Sequence, residues 1–431
     1  MSKIKIGVLG AYRGSSMINY CLRAGNAEVV AICDKWPQAL EMQKKNAEGL
    51  NITFYDNFDN FIKHDMDAVV LANYAHQHAP FAIRAMKQGL HVFSEVVPAQ
   101  TMKEAIELIE TVEETGMIYA YGENYCYMPA CHEMKKLYAE NKIGEFEYGE
   151  GEYIHNCSEI WPSITYGERD HWRNRMHSNF YCTHSLGPII HATGLRPVSV
   201  TGFECQKNER SLKLGRRGAA MGMEMVTLEN GAIVKSIHGD LYKDSIWYCM
   251  YGSKGRMESG REDAKDGDVH KIYVNADEYP DGYETAKLES YEPKYDEGDF
   301  DLDGYGHGGS DFFSMYHFVE KIRGNKDADI IDVYEAMDMF LPGMFAYRSV
   351  LDGGVPKEIP NLRDKAVREQ WRNDTMCTDP EVAGDMLIPC FSKGEPQVDD
   401  SVYEYVKKLW DEEQNKENNY MSQAFNQGVK K

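Results

Sequence analysis

Over its first 125 residues the chain alternates short apolar β-type runs with helix-length stretches of i, i+3, i+4 apolar spacing, and few architectures accept that rhythm. The runs are Ile4 to Leu9, Val29 to Cys33, Ala68 to Leu71, His91 to Phe93 and Ile118 to Tyr121; between them lie Ser16 to Ala24, Pro37 to Ala47, His78 to Gln88 and Thr101 to Thr115. Strands separated by helices cannot pair as hairpins, so they stack in parallel with helices on both faces. Gly25, Gly89 and Gly116 stand where helix C-caps fall. The expectation is an α/β unit with a doubly wound parallel sheet.

After Asn124 the rhythm changes. A helix near Met128 to Glu140, a strand near Glu145 to Asn156 and a helix near Asn179 to Thr193 precede β-rich sequence: Val198 to Cys205, Met223 to Leu228, Ile233 to His238, Ile246 to Tyr251 and His270 to Val274. Strand after strand without helices implies antiparallel pairing, hence an α+β domain with an open, mainly antiparallel sheet. Residues 277 to 303 carry eleven acidic side chains against two lysines, interleaved with Tyr279, Tyr283, Tyr291 and Tyr295, and read as a solvated surface loop. Amphipathic helices follow at Ser310 to Arg323 and Val333 to Leu351. The expected division is 1–125, 126–360 and a C-terminal extension, 361–431, of a 431-residue chain.

Acidic residues outnumber basic ones by 22, which makes nucleic acid and anionic membrane poor partners. No apolar run reaches the roughly 18 residues of a membrane span, and MSKIKIGVLG leaves no room for a secretory leader. The ten cysteines form no CxxC pair. They read as reduced thiols in a cytoplasmic protein.

The first strand runs into Gly10-Ala11-Tyr12-Arg13-Gly14-Ser15-Ser16, a glycine turn ahead of a helix. Glycine lets backbone approach a pyrophosphate while the helix N-terminus faces its charge. The turn departs from GxGxxG, since Ala11 or Tyr12 stands at one glycine position. Asp34, at the end of the second strand, is placed to bond a ribose 2′-hydroxyl and repel a 2′-phosphate, which favours NAD over NADP. A plain tight turn and a helix cap are the alternatives for these residues.

Strand alternation puts Tyr153 and His155 on one face. Further on, Tyr181 and His184 share a helix face at i, i+3. Such rings suit proton transfer, although a half-buried sheet also accommodates a Tyr and a His.

The strings Val69 to His78 and Ala82 to Glu95 resemble the later units of the Rossmann domain in the Gfo/Idh/MocA oxidoreductase family, over roughly residues 3 to 350. By that resemblance Asn73, His76, His78, Glu95 and Asn124 lie along the cofactor with Gly10, Tyr12, Arg13, Gly14, Ser15 and Asp34. The family's Glu-Lys-Pro reads Glu95-Val96-Val97-Pro98 here, so its proton-removing lysine is missing, and Phe180 stands where many members carry Asp. Glu123 to Tyr127, Gly151 to His155, Trp172-Arg173, Tyr181 to Pro188 and Gly306 to Phe312 are similar to the NAD-dependent glycosidase branch related to bacterial α-N-acetylgalactosaminidases.

That resemblance implies a redox-neutral glycosidase: oxidation at sugar C3, elimination across C1 and C2, water addition and re-reduction. It makes Tyr153 the base at C2, gives His184 and Tyr181 the C3 oxygen with His155 beside them, and lines the sugar pocket with Glu123, Trp172 and Arg173. A net sugar 3-dehydrogenase and a non-catalytic NAD-binding regulator are the alternatives; the cluster of proton-transfer groups speaks against the regulator. Glu123, His155 and His184 are the candidate ligands if a divalent metal takes part. The substrate is a small glycoside or sugar, and family tendency implies a homo-oligomer through the second domain's sheet.

Overall fold

The computed structural model describes residues 2–261, 269–276, 288–295, 298, 300–302 and 305–415. Six parallel strands, β1 (Ile4–Leu9), β2 (Ala27–Cys33), β3 (Thr53–Tyr55), β4 (Ala68–Leu71), β5 (His91–Ser94) and β6 (Tyr119–Tyr121), lie in the order β3-β2-β1-β4-β5-β6. Helices α1 (Ser15–Arg23), α2 (Pro37–Asn46), α3 (Phe58–Phe61), α4 (His78–Lys87) and α5 (Met102–Thr115) connect them. Strand order reverses between β1 and β4, and the carboxyl ends of such strands flank a ligand crevice. Gly25, Gly89 and Gly116 all have positive φ at the expected helix ends. The edge strand β3 and the four-residue α3 were not anticipated, because Thr-Phe-Tyr is partly exposed and too short to set up an alternation.

The second unit contains α6 (Pro129–Ala139), β7 (Phe146–Ile154), α7 (Trp161–Thr165), α8 (Thr183–Thr193), β8 (Pro197–Glu204), α9 (Glu209–Leu212), β9 (Met221–Leu228), β10 (Ile233–Gly239), β11 (Ser245–Gly252), β12 (Gly255–Ser259), β13 (Ile272–Ala276), β14 (Glu289–Tyr291), α10 (Ser310–Ile322), α11 (Val333–Leu351) and β15 (Lys357–Glu358). Its sheet runs β14-β13-β12-β11-β7-β10-β9-β8-β15. One pairing departs from the antiparallel expectation: β10 lies parallel to β7. The chain reaches β10 from β9 by a hairpin after α8 has carried it across the sheet, and that crossover fixes the direction. The helix expected from Asn179 begins at Thr183, so Tyr181 precedes it. α8 lies directly on β7, where Gly151 is required: a Cβ there would sit 1.7 Å from the Ser185 carbonyl oxygen.

From residue 361 the chain adds α12 (Lys365–Trp371), α13 (Pro380–Ala383) and α14 (Asp400–Gln414). Tyr279 and Tyr283 of the acidic segment lie outside the described residues. Tyr291 and Tyr295 are docked rather than loose, donating their hydroxyls to Glu133 and to the Tyr127 carbonyl at 2.7 Å each. Among the described residues no helix is long and apolar enough to cross a membrane.

Candidate active site

A cleft of about 580 Å³ opens at the carboxyl ends of β1, β2, β4 and β5 and extends to β7 and α8. Asp34, Lys35 and Trp36 line one end, Gly10, Tyr12, Arg13, Ser15, Asn73 and Tyr74 the middle, and Asn124, Tyr125, Tyr153, His155, Tyr181 and His184 the other.

The first two parts fit a dinucleotide. Gly10 has φ +97°, and a Cβ on it would sit 2.3 Å from the Ala72 carbonyl oxygen. The N-terminus of α1 has no side-chain cap; Ser15 N–H donates to the Tyr12 carbonyl at 3.1 Å, and the positive end of the helix faces the cleft beyond it. Gly14 supports the turn by donating its N–H to the Gly10 carbonyl at 2.9 Å, but it does not line the cleft. Asp34 accepts from Ala11 N at 2.7 Å and from Trp36 N at 2.9 Å; burial holds its carboxyl above the usual range. It organises the glycine turn and lines the cleft between Cys33 and Lys35.

Of five further residues expected along the cofactor, Arg13, His78, Glu95 and Asn124 line the cleft while also holding contacts of their own, and His76 does not line it. Arg13 is clamped between Glu95 Oε1 at 2.7 Å and Asp311, whose two oxygens its guanidinium meets at 3.2 Å. Both Arg13 and Glu95 are thereby committed to a charge network, which Asn124 joins by donating to Asp311 Oδ1 at 3.0 Å. His78 lines the cleft but is almost wholly buried, its nitrogens on the Val97 and Asn73 carbonyls, and burial pulls it down to about 4. His76 turns away to pack on Tyr74 and Trp172.

At the other end the expected rings converge. The Tyr153 ring lies 4.5 Å from that of His184 and stacks within 3° of parallel on His155 at 5.9 Å; Tyr181 lies 5.6 Å from His184. Burial pushes the Tyr153 and Tyr181 phenols up and the His155 imidazole down, so all three are neutral near pH 7. Trp172 stacks on Tyr181 at 6.1 Å, and the Arg173 guanidinium sits 4.4 Å over the Trp172 ring. Glu123 was expected in the sugar pocket; it is instead fully buried behind His184, bonded to Nδ1 at 2.7 Å, which leaves Nε2 to the cleft. His155 turns its Nδ1 to Cys157 Sγ. Among the described residues no group of three or more His, Cys, Asp or Glu side chains is arranged to hold a metal ion.

Sequence reasoning assigned no role to Tyr125, 4.8 Å from the His184 ring, or to His307 and Asp311. His307 lines the cleft mouth with its Nδ1 3.2 Å from Asp311 Oδ2. Burial alone would raise Asp311, but Arg13 and His307 hold its carboxylate well below the usual range. The glycine-rich string around His307 was the available signal.

The family model "Oxidoreductase family, NAD-binding Rossmann fold" matches residues 4–123, and "Glycosyl hydrolase 109, C-terminal domain" matches residues 245–372. A glycosyl hydrolase family 109 protein of Solibacter usitatus is 26% identical over 411 residues, covering 86% of this chain and 89% of that one. Myo-inositol 2-dehydrogenase from Lactobacillus plantarum superposes with a TM-score of 0.65 at 18% identity, covering 83% of this chain and all of that one. A levoglucosan dehydrogenase in complex with NADH and levoglucosan gives 0.68 at 15% identity, covering 83% and 99%. The solved structures share the fold. The chain is an NAD-dependent enzyme.

Proposed function

We propose that this chain, which joins a Gfo/Idh/MocA NAD-binding domain to a glycosyl hydrolase 109 C-terminal domain, cleaves glycosides by transient oxidation of the sugar at C3. The observation that carries this reading is the convergence of Tyr153, His155, Tyr181 and His184 at the cleft end away from Asp34. A simple dehydrogenase needs one base for one hydroxyl. An elimination also needs groups for the C2 proton and the leaving oxygen.

NAD, when bound, supplies a reversible acceptor for the C3 hydride. His184 takes the C3 hydroxyl proton at Nε2, and the buried Glu123 carboxylate stabilises the imidazolium that forms. Tyr181, kept protonated by burial, donates to the C3 oxygen. Oxidation at C3 acidifies C2, and Tyr153 is placed to act on that proton, with the neutral His155 on the same strand face as a further proton acceptor at that end of the cleft. His307, at the mouth with 40% of its side chain exposed and oriented by Asp311, protonates the departing C1 oxygen and then activates water. Water adds at C1, and reduction at C3 restores the sugar.

The same reading includes a homo-oligomer. Strand register places Phe203, Met223, Ile237 and Trp247 in one row, with Glu152, paired to Arg261, between the last two, and Met225, Ile233 and Tyr251 in adjoining rows, all on the sheet face away from α8. A second copy of that face would cover them.

An aryl glycoside turned over in heavy water tests the mechanism. The expected result is deuterium at C2 of the released sugar, retention of a deuterium label placed at C3, and no accumulation of reduced cofactor. Reduced cofactor rising in step with product would instead establish a net sugar oxidoreductase. Cleavage by NAD-free protein without C2 exchange would refute the whole assignment.

A further inference from the structure

The cleft end remote from the catalytic rings is walled by aromatic side chains from separate parts of the chain. Trp36, two residues after Asp34, meets the Tyr166 ring at 5.6 Å and the Trp410 indole at 5.0 Å between centroids; Tyr166 meets Trp410 at 5.1 Å. Trp36 and Tyr166 line the cleft with Asp34. Trp410 stands buried behind them and does not line it.

α14 carries Trp410 there. Tyr403, Val406 and Trp410 share its buried face at helical spacing. The Tyr403 hydroxyl donates to the Gly215 carbonyl at 3.2 Å, and Arg169 pairs with Asp400. Gly167 meets the helix backbone to backbone, since a Cβ there would lie 2.4 Å from Lys407 N. Tyr166 itself has φ +58°, a left-handed conformation that a bulky side chain keeps only when its surroundings impose it. α14 supplies those surroundings.

At its other end the extension is bolted to α5. Arg368, fully buried, pairs with both Glu113 oxygens at 2.5 and 2.9 Å and donates Nε–H to the Leu362 carbonyl at 2.6 Å. Between its ends it crosses the second sheet's domain, where Tyr347 donates to the Pro389 carbonyl at 2.6 Å and Ser392 N donates to Glu204 at 3.1 Å. The extension therefore leaves the first domain at α5 and returns to it at Trp36.

We infer that α14 is a clasp on the cofactor: Trp410 holds Trp36 and Tyr166 over the adenosine end of the cleft and makes the dinucleotide a resident group rather than an exchanging one. A cycle that returns its hydride to the same sugar never has to release the cofactor, so a strap across the cleft does not limit it. A net dehydrogenase must let reduced cofactor go at every turnover. The clasp rests on the redox-neutral reading for its purpose, whereas its test involves no turnover.

Protein loaded with NADH and mixed with excess NAD reports cofactor release as loss of tryptophan-to-nicotinamide energy transfer. Trp410→Ala removes two aromatic contacts and should speed release by about tenfold or more, while Trp410→Phe should stay within about threefold of the unmutated protein. Because Trp410→Ala also opens a buried position, hydrogen exchange on the unmutated protein supplies a second reading. Adding NAD should slow exchange across 160–172 and 403–411 as well as in the glycine turn. Equal release rates in Trp410→Ala and the unmutated protein, or protection confined to the first sheet and its loops, would overturn the clasp. Slow, Trp410-dependent release without any glycosidase activity would leave the clasp standing and bring down the proposed reaction alone.

Discussion

Replacing Glu123 by Gln should lower turnover by about 10- to 150-fold while leaving NAD affinity unchanged. Glu123 is fully buried, its Oε1 is 2.7 Å from His184 Nδ1, and its Oε2 has no hydrogen-bond partner. At that separation an effective dielectric of about 20 gives roughly 6 kcal/mol of gross attraction toward a protonated ring. Much of it is offset by the cost of keeping the carboxylate out of water, and a Gln amide retains one neutral hydrogen bond. Net values for hydrogen bonds to charged groups are about 1.5–3 kcal/mol, which converts to the stated loss. The amide is nearly isosteric and its oxygen can still accept the Tyr125 N–H that Glu123 accepts at 3.4 Å, so the backbone at 123–127 should hold. The assay is kcat on an aryl glycoside at saturating NAD, run beside equilibrium NAD binding. Turnover within twofold of the unmutated protein would show that the buried charge does not assist His184. A parallel loss of NAD binding would show that Glu123 acts through the fold.

Asp34→Ala should weaken NAD binding by about tenfold or more and relax discrimination against NADP, with part of the loss arising from the released Ala11 and Trp36 amides; titration with both cofactors checks it. Tyr153→Phe should lose about two to four orders of magnitude in turnover and with it the C2 exchange in heavy water, at unchanged NAD affinity. In His307→Asn, chosen because His307 sits at φ +55° where Asn is tolerated, the loss should grow with leaving-group basicity, about 100-fold more for an alkyl glycoside than for a dinitrophenyl one. His191 is buried; burial lowers its pKa, but Glu335 at 2.6 Å and Asp329 at 3.2 Å outweigh that and raise it to about 9. Its folded value therefore exceeds the unfolded value of about 6.5, so its contribution, up to about 3 kcal/mol, is complete below about pH 6.5 and is lost as pH rises through about 9. Melting curves should show Tm falling over that interval, and His191→Gln should flatten the fall.

The first sheet could be read from the sequence because parallel strands buried on both faces leave continuous apolar runs, and Ala68–Leu71 is buried at every position. Val333–Leu351 was equally plain, since a buried helix of 19 residues has room to establish its period. β14 and β15, at three and two residues, are too short to establish one. The parallel β7–β10 pairing was hidden for another reason. Register is a relation between distant segments, and an alternation along β10 reads the same whichever way its neighbour runs.

For the active site, residue types were readable and their pairings were not. Tyr153, His155, Tyr181 and His184 announce proton chemistry singly, yet the contact that orients His184 spans 61 residues and the one that clamps Arg13 spans 298. Those long contacts also account for the missing lysine. At the end of β5 the structure has Glu95 committed to Arg13, followed by Val96 and Val97 at 8% and 0% exposure, so no side-chain amine stands there. The groups proposed to handle protons are instead mounted on β7, ahead of α8 and at the start of α8, where Gly151 lets the helix lie against the strand, with the Tyr153 and His184 rings 4.5 Å apart. A lysine at the end of β5 serves one hydroxyl beside the cofactor. Rings on two elements of the second domain can serve two adjacent carbons, and that is the requirement that separates elimination from simple oxidation.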